Sequence, residues 1–93
     1  MIKHSEYFEG QVQSLSVEGH DKPATLGVMS VGDYKFGTDL PELMSVISGE
    51  LQIQLAGSTQ WNTYKKGESF NVDGDSSFLV KVPVTTAYYC IYG

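Results

Sequence analysis

The sequence predicts a single all-β domain, a small jelly-roll barrel, on three observations. Apolar and polar residues alternate with period two along much of the chain, while apolar residues at helical spacing are scarce. Turn-forming residues punctuate the chain at roughly 8–12-residue intervals, the habit of sandwiches and barrels. A length of 93 residues, 41% hydrophobic and 12% aromatic, suits one modest core spanning residues 1–93 rather than two domains.

The strands follow in order. "VQSLSVEG" sets Val12, Leu15 and Val17 among polar residues. "ATLGVMSVGDYKFGT" reads as two strands joined through Gly32-Asp33, a turn pair. "LMSVISGELQIQLAG" breaks at Gly49 and resumes with Leu51, Ile53 and Leu55 on one face and Gln52 and Gln54 on the other. "SSFLVKVPV" alternates Phe78, Val80 and Val82 against Leu79 and Lys81, and "TTAYYCIYG" closes the chain with Tyr88, Cys90 and Tyr92 on one face. Other turn signals fall at Gly19-His20-Asp21, Gly57-Ser58, Lys66-Gly67 and Asp73-Gly74-Asp75. The segment before Val12 reads as an N-terminal tail.

Composition excludes several classes of function. No apolar run approaches the roughly 20 residues that span a bilayer, and "MIKHSEYFEG" lacks the apolar core of a signal peptide, so a cytoplasmic protein is expected. A net charge of −5 argues against nucleic acid and anionic membrane as partners. The lone cysteine, Cys90, rules out an intrachain disulfide and fits a reducing compartment. All six basic residues are lysines, so any anion must be held without a guanidinium fork.

"PELMSVISGEL", residues 41–51, carries the chemistry. Metal-binding cupins share one motif that sets two histidines and a glutamate ahead of a glycine. A second motif sets a histidine beyond a glycine and a Pro-x-Gly turn. Aligned on Gly49, the first puts its glutamate at Glu42 and its histidines at Phe36 and Thr38. Aligned on Gly67, the second puts its histidine at Phe78, with Asp73-Gly74 in place of Pro-x-Gly. A transition metal needs several donors converging at about 2–2.5 Å. Glu42 alone remains of four, and His4 and His20 have no ligand spacing, so neither metal nor other cofactor is expected.

By alternation Tyr34, Phe36 and Thr38 share one face, and Glu42, Met44 and Val46 another. In a cupin register both faces point into the barrel mouth, with Phe78 opposite. An aromatic pocket with one acid and a few hydroxyls suits a planar ring bearing a polyhydroxyl group. Phe36, Met44, Phe70 and Phe78 read as core packing first and as substrate contacts second. Cys90 reads as a small apolar filler, Lys65-Lys66 as a solvated turn, and Trp61 as a cover for either core or dimer seam.

In "GVM" (27–29), Tyr34-x-Phe36-x-Thr38, "PELMSVISGEL", Trp61 with Tyr64, "GESFNVDG" (67–74), Ser77-Phe78 and Tyr88-x-Cys90-x-Tyr92, the chain resembles the small cupin-fold pyrimidine/purine nucleoside phosphorylases of bacteria. The likeness runs from Tyr7-Phe8 to Tyr92. It implies a homodimeric barrel in which inorganic phosphate, as co-substrate, attacks a nucleoside to release free base and pentose-1-phosphate. Glu42 would then accept hydrogen bonds from the ribose hydroxyls, and Phe36, Phe78 or Tyr34 would sandwich the base. Thr38, Tyr88, backbone N–H groups, Lys35 or a partner lysine would hold phosphate. The chain departs from the family at Asp73, where proline is usual, and in lacking arginine, some relatives carrying a basic residue near Ile91. The alternatives are a non-catalytic cupin that binds a sugar- or nucleoside-like ligand, and a structural dimer whose barrel is filled by its own aromatics.

Overall fold

The computed structural model describes residues 1–93 and contains eight strands and no helix. They are β1 (His4–Tyr7), β2 (Val12–Val17), β3 (Ala24–Met29), β4 (Gly32–Thr38), β5 (Glu42–Leu55), β6 (Asn62–Lys65), β7 (Ser69–Val72) and β8 (Ser76–Tyr92). Every pairing is antiparallel.

Two long strands organise the rest. β8 runs for 17 residues and pairs along its length with the 14-residue β5. Its first half also pairs with β4, and its second half with β3. "SSFLVKVPV" and "TTAYYCIYG" are therefore one strand, bent where Pro83 and Val84 are exposed. The bend folds one sheet into two facing halves, a cupin-type barrel. One cluster of buried side chains, including Val12, Met29, Leu51, Ile53 and Val80, fills it.

The bend has a partner in β5. There the register against β8 slips between Val46 and Gln52, around Gly49, whose φ is +103°. Gly49 is a bulge inside one strand rather than a break between two. A Cβ there would strike the Thr86 hydroxyl and lie 2.9 Å from the Thr86 Cα. The buried Thr86 hydroxyl accepts from the Glu50 N–H at 3.0 Å and sits 2.7 Å from the Val84 carbonyl, pinning the corner.

Two expectations are corrected, and the faces of β2 are fixed. Gly32-Asp33 is the start of β4 and not a hairpin turn, because both edges of β3 are already occupied, by β2 and β8. The chain turns at Ser30-Val31 instead. The N-terminal segment is a strand, with His4 Nε2 2.9 Å from Gln13 Oε1. In β2 the alternation of Leu15 marks the outer face: Leu15 is exposed, while Val12 and Ser14 point inward.

Candidate active site

The facing halves of the sheet enclose a cavity of about 150 Å³. One wall is aromatic. Phe36 from β4 and Phe78 from β8, paired across the strands, stack with centroids 5.5 Å apart at 27°. Because they stack on each other, they present one surface and no slot between them. The other wall mixes polar and apolar groups: Ser14, Met29, Glu42, Met44, Tyr88, Cys90 and Tyr92.

Glu42 is the only carboxylate in the lining. It is half-buried, and burial raises its carboxyl above the ordinary range; a hydrogen bond from the Cys90 thiol, 3.4 Å from Oε1, partly offsets this. Cys90 stays a thiol, because burial and then the neighbouring Glu42 charge push its ionisation far up. Burial does the same to Tyr88 and Tyr92. The Tyr92 hydroxyl pairs with Thr25 Oγ1 at 3.0 Å.

The rim is formed by the β1–β2 turn. Phe8, Glu9 and Gly10 all have left-handed backbones, with φ of 53°, 57° and 86°. For Phe8 and Glu9 this costs roughly 1–2 kcal/mol apiece. The Phe8 ring offsets it by packing 5.0 Å from Tyr34 and edge-on to Phe36 at 5.4 Å. The strained turn thereby fixes Tyr7, the end of β1, over the cavity.

Of the residues expected to bind substrate, Phe36, Met44, Phe78 and Tyr88 line the cavity together with Glu42, and Tyr34, Thr38 and Phe70 do not. Tyr34 lies behind Phe36, its hydroxyl donating to the Ser30 carbonyl at 2.7 Å. Thr38 donates to the Asp73 carbonyl at 2.6 Å and accepts from the Ser76 N–H at 3.0 Å, so its hydroxyl is committed to the 73–76 turn. Phe70 stacks on Tyr64 at 4.6 Å and meets Phe78 edge-on. No lysine lines the cavity. Lys35 faces outward, alternating with Tyr34 and Phe36, and Lys81 lies 4.4 Å over the Trp61 ring.

Tyr7, Ser14, Met29, Gly37 and Tyr92 also line the cavity and were not singled out from the sequence as site residues. Tyr92 had a signal, sharing a face with Tyr88 and Cys90. Ser14 had none, since a serine two residues from a valine looks like any polar strand position.

A cupin metal does not fit these residues. At the four ligand positions stand Phe36, Thr38, Glu42 and Phe78, one carboxylate among two rings and an engaged hydroxyl. No group of three His, Cys, Asp or Glu side chains converges anywhere else.

The signature of the pyrimidine/purine nucleoside phosphorylases matches residues 2–92. The chain belongs to this family. It is 57% identical over 93 residues to the pyrimidine/purine nucleoside phosphorylase of Shewanella halifaxensis, covering 100% of both chains. A crystal structure of a Vibrio parahaemolyticus protein of unknown function superposes with a TM-score of 0.96 at 45% identity, covering 100% of this chain and 99% of that one. The EutQ protein of Clostridium difficile, 19% identical, shares the fold alone, with a TM-score of 0.73 over 87% of this chain and 67% of its own. Gly74 carries the turn that follows Asp73. A Cβ at residue 74 would lie 2.8 Å from the Asp39 carbonyl.

Proposed function

We propose that this chain catalyses nucleoside phosphorolysis without a metal, Glu42 acting on the sugar. The observation that carries the reading is a lone, half-buried carboxylate facing an aromatic wall in a family of nucleoside phosphorylases. The base lies against Phe36 and Phe78, held by stacking that does not read its edges, which suits both pyrimidines and purines. The cavity of about 150 Å³ is open on one side, so the ligand occupies it together with its mouth, where Tyr7 lies.

Cys90 occupies Oε1 of Glu42, leaving Oε2 for the ribose 2′- and 3′-hydroxyls. As the C1′–N bond breaks, the sugar gains oxocarbenium character, and a carboxylate in a low-dielectric cavity stabilises it. Phosphate forms the new C1′–O bond, and the bonding pair leaves with the base. Met44 and Tyr88 shape the floor. The absence of a lysine from the lining favours a second reading, a non-catalytic cupin that binds a nucleoside or sugar. Release of free base from uridine and adenosine, with phosphate present, absent or replaced by arsenate, separates the two. An EDTA-treated sample that retains the activity supports the metal-free mechanism.

The working unit in this reading is a homodimer, and its compartment the cytoplasm, where a buried free thiol remains reduced. The support is the outer face of β2, β3, β8 and β5. There Leu15, Leu26, Val28, Leu43 and Ile47 are 37–48% exposed, in cross-strand rows with Ala87, Tyr89 and Ile91 and with no charged side chain among them. For a chain of net charge −5, an uncharged face is where two copies meet without repulsion.

A further inference from the structure

Two hydroxyls on the polar wall have no partner in the protein. Ser14 and Tyr88 are 5% and 6% exposed, and both line the cavity. Neither side chain makes a hydrogen bond, yet no side-chain oxygen is sealed away unpaired, so both hydroxyls reach the cavity space. Their neighbours are committed: Tyr92 to Thr25, Thr86 to the Glu50 corner, Thr38 to Asp73. Buried polar groups are rarely left idle without a reason.

A glycine brings the pair together. Ser14, Gly27 and Tyr88 form one cross-strand row from β2 through β3 to β8. A Cβ on Gly27 would lie 2.5 Å from the Tyr88 hydroxyl and ring. The ring end occupies the space over β3 that a side chain of residue 27 would fill, in the row that leads to Ser14. This gives residue 27 a physical reason to be glycine.

We propose that the Ser14 and Tyr88 hydroxyls form an uncharged oxyanion subsite that holds the inorganic phosphate co-substrate. The proposal rests on the phosphorolysis reading above. Both groups remain donors at working pH, the tyrosine because burial keeps its proton on, and phosphate oxygens are acceptors. Position fits as well. Displacement at C1′ requires phosphate on the face opposite the departing base, and the hydroxyls belong to the β2–β3–β8 half of the folded sheet, whereas Phe36 and Phe78 belong to the β4–β8 half. Hydrogen phosphate gives an oxygen pair to C1′ as the C1′–N pair leaves with the base; the departed base takes a proton from water, and the sugar phosphate returns one to water, so the step balances with no other reactant. No lysine is available in the lining to do the same work.

The test is steady-state kinetics of wild type, Tyr88→Phe and Ser14→Ala with uridine and phosphate varied separately. Each variant should raise the phosphate KM by about tenfold or more, with the uridine KM within about twofold. Because the subsite carries no charge, the wild-type phosphate KM should not rise with ionic strength, as it would if a lysine held the anion. A second readout covers a variant that folds poorly: phosphate alone should raise the Tm of wild type and of Lys35→Ala more than that of Tyr88→Phe. An unchanged phosphate KM in both variants, or an equal rise in the uridine KM, overturns the subsite while leaving phosphorolysis standing. Wild type that releases base without needing phosphate overturns the phosphorolysis reading itself, and the subsite with it.

Discussion

The Cys90 thiol donates to Glu42 Oε1 across 3.4 Å, diagonally between β8 and β5, since Glu42 is registered with Tyr92 and Cys90 with Met44. A residue that composition marks as filler is therefore the group that orients the carboxylate. The bond favours the charged form of Glu42 against its burial. Cys90→Ala should move the acid limb of kcat/KM to higher pH and lower kcat, whereas Cys90→Ser, which keeps a donor, should restore the limb to near its wild-type position. A pH–rate profile of the three proteins reads this directly. A limb that stays put in the alanine variant would reduce Cys90 to packing.

Glu42 itself should trade stability for activity. Its folded-state carboxyl is raised, so the native protein holds a proton that the unfolded chain has lost. Stability therefore falls as pH rises through the window between the unfolded and folded values. Glu42→Gln removes the charge and should show a higher Tm than wild type at pH 7, with the difference vanishing near pH 4. It should also lose activity by about 10²–10³-fold. Thermal melts at both pH values, set beside turnover, check the pair of outcomes, and a variant less stable than wild type at pH 7 contradicts the assignment.

The corner at Gly49 should be the least tolerant position of the barrel. An alanine there meets Thr86 side chain and backbone and is held at a φ of +103°. Strain and overpacking together predict a loss of about 2–4 kcal/mol for Gly49→Ala, read by urea or thermal unfolding. Gly37, where a Cβ would meet open space for 4 Å around, should accept alanine with little loss of stability.

The outer face makes a prediction of a different kind. Leu26 lies in the row of Leu15 and Tyr89, at the middle of the uncharged surface. Leu26→Lys should leave the barrel folded and convert a dimer to a monomer in light scattering. A dimer that survives this change uses another surface.

Much of this architecture is visible in the sequence, for identifiable reasons. β4 and β8 each have a face buried against the core along most of their length, so Tyr34, Phe78, Val80 and Val82 alternate visibly with exposed neighbours. β1, β6 and β7 are four residues each, too short for alternation to stand out. The hairpin expected at Gly32-Asp33 failed because local turn chemistry says nothing about which edges are already occupied. The inward face of Glu42 and Phe36 could be read from spacing. The engagement of Thr38 could not, because the Asp73 carbonyl it serves is 35 residues away. Ser14 stayed hidden because its strand carries leucine on the outer face and serine on the inner one, the reverse of the usual pattern.

Phosphorus NMR of the protein with uridine and inorganic phosphate tests phosphorolysis at Glu42 directly. A pentose-1-phosphate resonance should grow as free uracil appears, with Glu42→Gln silent under the same conditions. Uracil released while the phosphate signal stays unchanged would make the protein a hydrolase. A spectrum with no change in either species, from a folded protein that still binds uridine, would contradict catalysis and leave a ligand-binding cupin.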